Sequence, residues 1–194
     1  LYSSLKVSRS HAEAYMKNPK TNLVAGVDSN KNAQKKFKRK WGKNIKSFST
    51  TREMLSTFQP DIVSICVPTD NDGVNNHLNL TILMKALRRA KGIPVIRSTV
   101  GPDSLITLAM SVNHDIPLMH WPEFLREKHW QDDVDDKSIP VVIGGKEDMT
   151  ESFVNNLLPH DRTIVECSVK EAALMKISRN AMLAAKVAQF NMLY

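Results

Sequence analysis

An α/β fold with a parallel, doubly wound sheet is what this sequence predicts, on three observations. Short Val- and Ile-rich runs recur along its 194 residues, and helix-period segments separate them. The runs show little of the polar alternation of a half-exposed strand, as expected when both faces of a sheet are covered. Strands that alternate with helices need crossover connections, which are right-handed and set neighbouring strands parallel.

The elements follow in order. Residues 10–17 read as a helix and residues 23–28, Leu-Val-Ala-Gly-Val-Asp, as the first visible buried strand. In the helix expected over residues 30–41, Ala33, Phe37 and Trp41 fall at i, i+4 and i+8. That stripe makes the lysine-rich segment Lys35-Lys36-Phe37-Lys38-Arg39-Lys40 a solvated helix face rather than a nucleic-acid patch. A helix over 51–58, a strand over 61–67, a helix over 78–89 and a strand over 94–100 come next. A helix over 103–113 leads to a strand over 116–120, and the stretch Asp132-Asp133-Val134-Asp135-Asp136 reads as a solvated acidic loop. A strand over 139–144, a helix over 146–158 and a short strand over 163–165 complete the sheet. From Val169 to Tyr194 there is no Gly or Pro, and Leu174, Ile177, Ala181, Ala184 and Val187 keep a helical period. A helix of that length suits a connector into a second domain, or a dimer-forming element, better than a cap on one small sheet. The expected division is residues 1–168 as the sheet domain and 169–194 as the long helix, leading into a second domain missing here.

Composition narrows the class. Hydrophobic content of 42% and charged content of 24% are those of a globular chain. No apolar run approaches the ~18 residues of a membrane span, so no membrane partner is expected. Despite a net charge of +7, no nucleic-acid motif accompanies the lysines, and no nucleic-acid partner is expected. Two distant cysteines, Cys66 and Cys167, form no framework and no metal cluster, so no metal is expected and a reducing cytoplasm is the simplest compartment.

The strand ends carry the chemistry. In open α/β sheets ligands bind beyond the carboxyl ends of the strands. Asp28 ends the first strand, where an acidic residue of a Rossmann unit accepts from the adenosine ribose and favours NAD over NADP. It could equally cap the following helix, and the lysines beyond it could hold a 2′-phosphate. The strand and G-x-G-x-x-G turn expected about twenty residues before such an acid are absent, which reads as truncation. Val67-Pro68-Thr69 ends another strand and a polar loop follows; Asn, Asp and Gly are also ordinary turn residues. Ser98 and Thr99 end the next, where a hydroxyl can hold a water or the cofactor, or cap a helix. Glu123 and Glu127 follow the strand over 116–120 and could orient water or act as general bases, or pair with Arg126 or Lys128 at the surface. Lys176 and Asn180 lie at i, i+4 on one face of the long helix.

The segment Trp121-Pro122-Glu123-Phe124-Leu125-Arg126-Glu127 resembles the signature of the UDP-glucose/GDP-mannose dehydrogenase family. So do Val67-Pro68-Thr69, Ser98-Thr99-Val100 and the run from Glu171 through Lys176 to Asn180, with Asn191 agreeing further on. The resemblance implies NAD-dependent oxidation of a nucleotide sugar at its C6 alcohol, giving a carboxylate in two hydride transfers. It implies a cofactor site at Asp28, Val67, Pro68, Thr69, Ser98 and Thr99. Thr99, Glu123, Glu127, Lys176 and Asn180 would be catalytic, with Lys176 stabilising an oxyanion and Asn180 holding sugar and water. Phe124, Leu125 and Arg126, with Lys176 and Asn180, would meet the substrate. The partners implied are the nucleotide sugar and a second copy through the long helix, and the role is supply of polysaccharide synthesis. The nucleophilic cysteine of that family would lie beyond Tyr194; Cys167 does not match it in position. Ser138 and Ile139 stand where an arginine is usual.

Residues 11–69 also resemble the glucose–fructose oxidoreductase/inositol dehydrogenase family, again Rossmann enzymes. Arg97-Ser98-Thr99-Val100 departs from the Glu-Lys-Pro triplet of that family. A sugar dehydrogenase of that type, or a dinucleotide-binding fragment without catalysis, is therefore the alternative.

Overall fold

The computed structural model describes residues 12–13, 16–42, 44–67, 69, 80–90, 92–111, 118–158 and 161–193. Of the helix expected over 10–17, the four described residues are helical. Pro68 and the polar loop after Thr69 lie outside the described residues.

Among the described residues, two sheets are formed. In the smaller, β1 (Ala25–Val27) pairs in parallel with β2 (Lys46–Phe48). The larger has the order β3 (Ile62–Ile65), β4 (Ile93–Ile96), β5 (Met119–His120), β6 (Val141–Gly144) and β7 (Ile164–Cys167). The helices are α1 (Lys31–Trp41), α2 (Thr51–Thr57), α3 (Thr81–Leu87), α4 (Pro102–Ser111), α5 (Trp130–Asp135), α6 (Glu147–Leu157) and α7 (Val169–Met192). A 3-10 turn over Glu127–His129 precedes α5.

Local chemistry accounts for the elements around the small sheet. Asn30 caps α1 by accepting from the Asn32 and Ala33 amides, and Gly42, at φ 104°, ends it. The Phe37 ring rests on Gly26, where a Cβ would meet it at 2.8 Å. Lys35, Lys36, Lys38, Arg39 and Lys40 are exposed, so the basic run is a solvated face on an apolar stripe. Thr50 and Glu53 form a capping box on α2. β2 is not visible as a hydrophobic run. It exists because Lys46, Ser47 and Phe48 pair with Ala25, Gly26 and Val27, while Phe48 meets Phe58 edge-on at 6.0 Å.

The larger sheet is covered on both sides. Ile65, Val67 and Ile96 pack with Leu83 and Leu87 of α3, Leu105 and Leu108 of α4 and Ala173 of α7. Val95, Met119 and Ile143 pack with Phe153 and Val154 of α6 and with Leu158. Val95 and Ile96 thus serve opposite faces, which is why β4 reads as a continuous apolar run.

Two expectations are corrected. The sheet is parallel except at one step, where β5 and β6 are antiparallel through His120 and Gly144. The connection between them, residues 121–140, holds the 3-10 turn and the six-residue α5. The acidic stretch is not a solvated loop. Asp133 lies in α5, is 1% exposed and receives the Arg126 backbone N–H and guanidinium. One buried carboxylate with its arginine folds a segment that composition assigns to solvent.

α7 opens with a capping box between Ser168 and Glu171, so Glu171 serves the helix end. Ala172 and Ala173 are fully buried, whereas residues 180–193 are all exposed. Its 24 residues extend about 36 Å. Among the described residues, no helix is long and apolar enough to cross a membrane.

At Gly144 the N-terminal turn of α7 approaches so closely that a Cβ would lie 2.7 Å from Ala172 Cβ and 2.8 Å from Ser168 O. Gly144→Ala should therefore displace α7 and cost about 1–3 kcal/mol, read as a lower urea midpoint at unchanged m-value.

Candidate functional site

β3, β4 and β5 end together, and their following residues are bonded to one another. The Ser98 hydroxyl accepts the Val67 N–H at 2.8 Å and donates to the Val67 carbonyl at 2.7 Å. The Thr69 hydroxyl donates to the Thr99 carbonyl at 2.8 Å. Arg97 donates its N–H to Ile65 O and Trp121 donates its N–H to Ile96 O, so the three strands carry their pairing into this rim. Val67, Thr69, Ser98 and Thr99, expected as cofactor contacts, are brought into one group.

Beyond β5 the side chains lock in series. The Arg97 guanidinium lies 3.8 Å from the Trp121 ring centroid, and Trp121 meets Phe153 edge-on at 5.6 Å. Arg97 Nη2 donates to Glu123 Oε1 at 3.0 Å. Glu123 is thus paired with Arg97, from a neighbouring strand end, while Arg126 pairs with Asp133. From α7, Lys176 donates to the Glu123 carbonyl and Arg179 donates to the Phe124 carbonyl at 2.7 Å. Both cations also face the Phe124 ring. Burial, then the charge of Arg179, hold the Lys176 ammonium below the usual lysine range, with Glu123 opposing.

The other expected residues are placed as follows. Asn180 is exposed on α7 one turn beyond Lys176, and Asn191 is exposed near the helix end. Glu127 opens the 3-10 turn; its side chain lies outside what is described. Arg126 is bonded to Asp133, which keeps that carboxyl below the usual carboxylate range. Asp28 stands on the small sheet, where its Oδ1 accepts the Asn30 N–H at 2.8 Å. Cys66 is buried. Burial, with Glu171 nearby, pushes the Cys167 thiol up, and its sulfur donates to Ile143 O at 3.7 Å. The environment of Cys167 does not activate a thiolate. Among the described residues, no three His, Cys, Asp or Glu side chains are grouped to hold a metal ion.

The side of the Trp121–Leu125 segment that carries Arg97 lines a cavity of about 610 Å³, within the usual range for ligand pockets. Trp121, Pro140, Phe153 and Leu157 form apolar walls, and Lys17, Lys20, Arg97 and Arg162 are the basic groups.

Reading the sequence alone does not single out Arg97, His120, Asp133 or Arg179. A charged residue ending a buried strand is the signal available for Arg97. His120 is fully buried in β5, its Nδ1 lies 3.0 Å from Ile96 O, and its Nε2 has no partner among the described atoms. Burial pushes its pKa from 6.5 down to about 4; the bond to Ile96 opposes this, and the Arg97 and Lys176 charges add to it.

Comparison with known proteins agrees with both expected likenesses. Residues 5–96 match the model of an oxidoreductase family with an NAD-binding Rossmann fold, that of the glucose–fructose oxidoreductase and inositol dehydrogenase type. The match agrees with NAD as the expected cofactor. No curated protein matches the chain. Among solved structures, a ternary complex of GDP-mannose dehydrogenase from Pseudomonas aeruginosa superposes with a TM-score of 0.74 at 20% identity, covering 96% of this chain and 49% of its own. The UDP-glucose dehydrogenase of the archaeon Pyrobaculum islandicum gives 0.77 at 22%, covering 97% and 50%. The UDP-N-acetyl-mannosamine dehydrogenase of Staphylococcus aureus gives 0.68 at 19%, covering 98% and 51%. The chain spans about half the length of these structures, and at such identities the likeness is one of fold.

A linked prediction concerns acid. Above pH 6.5 His120 is neutral whether folded or unfolded and adds no pH dependence. Between 6.5 and about 4 the unfolded chain takes up a proton that the folded chain refuses, so stability falls with pH over that window. At 1.36 kcal/mol per pKa unit the loss approaches roughly 3 kcal/mol. Urea midpoints across this range should fall more steeply for the wild type than for His120→Asn.

Proposed function

We propose that this chain contributes the cofactor side and part of the sugar site of an NAD-dependent nucleotide-sugar dehydrogenase, oxidising the C6 alcohol of a UDP-type sugar to a carboxylate in two hydride transfers. The observation that carries the reading is the bond from Lys176 to the Glu123 carbonyl, which unites the two most specific motifs of the chain at one strand edge. The likeness to solved nucleotide-sugar dehydrogenases supports it.

The residues present fit the dinucleotide. Asp28 is an acceptor at the end of β1, of the kind that receives ribose hydroxyls, and Val67, Thr69, Ser98 and Thr99 gather at the ligand edge. When bound, the nicotinamide supplies the hydride acceptor. On the protein side, Lys176 puts an ammonium where negative charge develops on the sugar oxygen. Glu123 orients water or takes a proton, Thr99 positions the reacting carbon, and Asn180 holds a sugar hydroxyl. Phe124, Leu125 and Arg126 form the substrate wall, and Glu127 completes the carboxylate pair. Two cysteines far apart in sequence fit a cytoplasmic enzyme, one that supplies acidic sugars for polysaccharide synthesis.

A second copy of the chain would cover the outer part of α7. Leu183, Val187 and Phe190 fall at i, i+4 and i+7 and are 51%, 61% and 63% exposed.

The match over residues 5–96 favours a second reading, a dehydrogenase acting on a free sugar. Calorimetry with NAD+ present separates the two. The first expects UDP-glucose to bind and free glucose not to, with Lys176→Ala weakening UDP-glucose at least tenfold, about 1.4 kcal/mol. Binding of free glucose in preference to UDP-glucose would select the second, and binding of neither would sink both. For the dimer, sedimentation should show a two-chain species that Val187→Glu with Phe190→Glu converts to single chains; an unchanged wild-type monomer would refute it.

A further inference from the structure

We infer that Arg97 is a positioning residue for the Glu123 carboxylate; this rests on the proposed dehydrogenase reading. Arg97 leaves β4 with its N–H fixed to Ile65 O, so its main chain is set by β3. Its side chain is 7% exposed and that of Glu123 is 18% exposed. Nε and Nη2 both point at one carboxylate oxygen, Oε1, at 3.4 and 3.0 Å. The guanidinium plane is held from behind by the Trp121 ring, itself braced by Phe153. A guanidinium with a fixed plane and two donors converging on one oxygen fixes where that oxygen sits.

The backbone of Glu123 is fixed separately, by Lys176 on its carbonyl. Side chain and main chain are therefore anchored from two sides, Arg97 from the sheet and Lys176 from α7. Arg97 Nη1 is buried with no partner among the described atoms. The guanidinium nitrogens that have partners among the described atoms, Nε and Nη2, both go to Glu123. Arg97 thus acts through Glu123. Lysine at the same position would keep the charge but lose the fork and most of the stacking.

The test uses the full chain with NAD+ present. Affinity for UDP-glucose is measured by calorimetry for wild type, Arg97→Met, Arg97→Lys, Glu123→Ala and the Arg97→Met/Glu123→Ala pair. In parallel, exchange of the Arg97 Nε–H with solvent is followed by nuclear magnetic resonance in wild type and Glu123→Ala. The expected result is a weakening of about tenfold for each single removal and no further loss in the pair, since the two act as a unit. Arg97→Lys should recover part of the loss, and the slowly exchanging Nε–H should become fast in Glu123→Ala. Wild-type affinity in Arg97→Met, or a pair whose loss is the product of the two, overturns the inference. If Arg97→Met does not fold, Arg97→Lys with Glu123→Ala completes the same cycle. If the wild type does not bind UDP-glucose, the dehydrogenase reading fails; the Nε–H comparison still decides whether Glu123 is what Arg97 holds, and an unchanged exchange rate overturns it.

Discussion

The geometry of this molecule depends on how closely the first turn of α7 can lie on β6. Gly144 leaves the space, Ala172 and Ala173 fill it, and the Ser168–Glu171 capping box fixes where the helix begins. A helix is rigid over several turns, so its starting point sets the height of every later side chain. Two turns on, Lys176 and Arg179 arrive level with the carbonyls of Glu123 and Phe124. A methyl group more beneath the helix would move both cations away from the segment they hold.

That segment is held on two sides by unlike means. Toward α7 its carbonyls take charged donors, and toward the cavity its side chains stack and pair through Trp121, Phe153 and Arg97. Charged groups so little exposed need this degree of pairing, because an unpaired charge away from water destabilises more than the surrounding packing can offset. Lys176 shows the tension directly: burial pushes its ammonium toward neutrality while the carboxylate of Glu123 resists. An ammonium under that tension is one whose interactions change most when a new negative charge appears beside it.

Much of the fold was legible because buried strands and amphipathic helices are local patterns. The β4 run is apolar throughout since Val95 and Ile96 face different cores, and the Ala33–Phe37 stripe sits as its spacing implies. Of the candidate site, the order of groups along the rim could be read, since Ser98, Thr99 and Glu123 each end or follow a strand. What could not be read was pairing across the chain. Lys46-Ser47-Phe48 becomes a strand through its neighbour, and Asp132–Asp135 are helical where Asp133 meets Arg126. Glu123 pairs with Arg97, 26 residues away, where nearby Arg126 and Lys128 had the better claim by proximity. The reversal at β5–β6 is likewise a matter of strand pairing, which local patterns do not encode.

That reversal has a directional consequence. β6 and β7 run against β3, β4 and β5, and Gly144, the last residue of β6, is paired with His120 just beneath the rim. Cys167 ends β7 beside Gly144, so the chain enters α7 at that level. α7 then travels toward the rim, passing Glu123 at Lys176 and continuing beyond it. Had the sheet been parallel throughout, the same helix would begin at the rim and run back along the sheet. The single change of strand sense therefore sends the outer turns of α7 past the level of Glu123, which leaves Leu183, Val187 and Phe190 standing clear of the sheet and exposed.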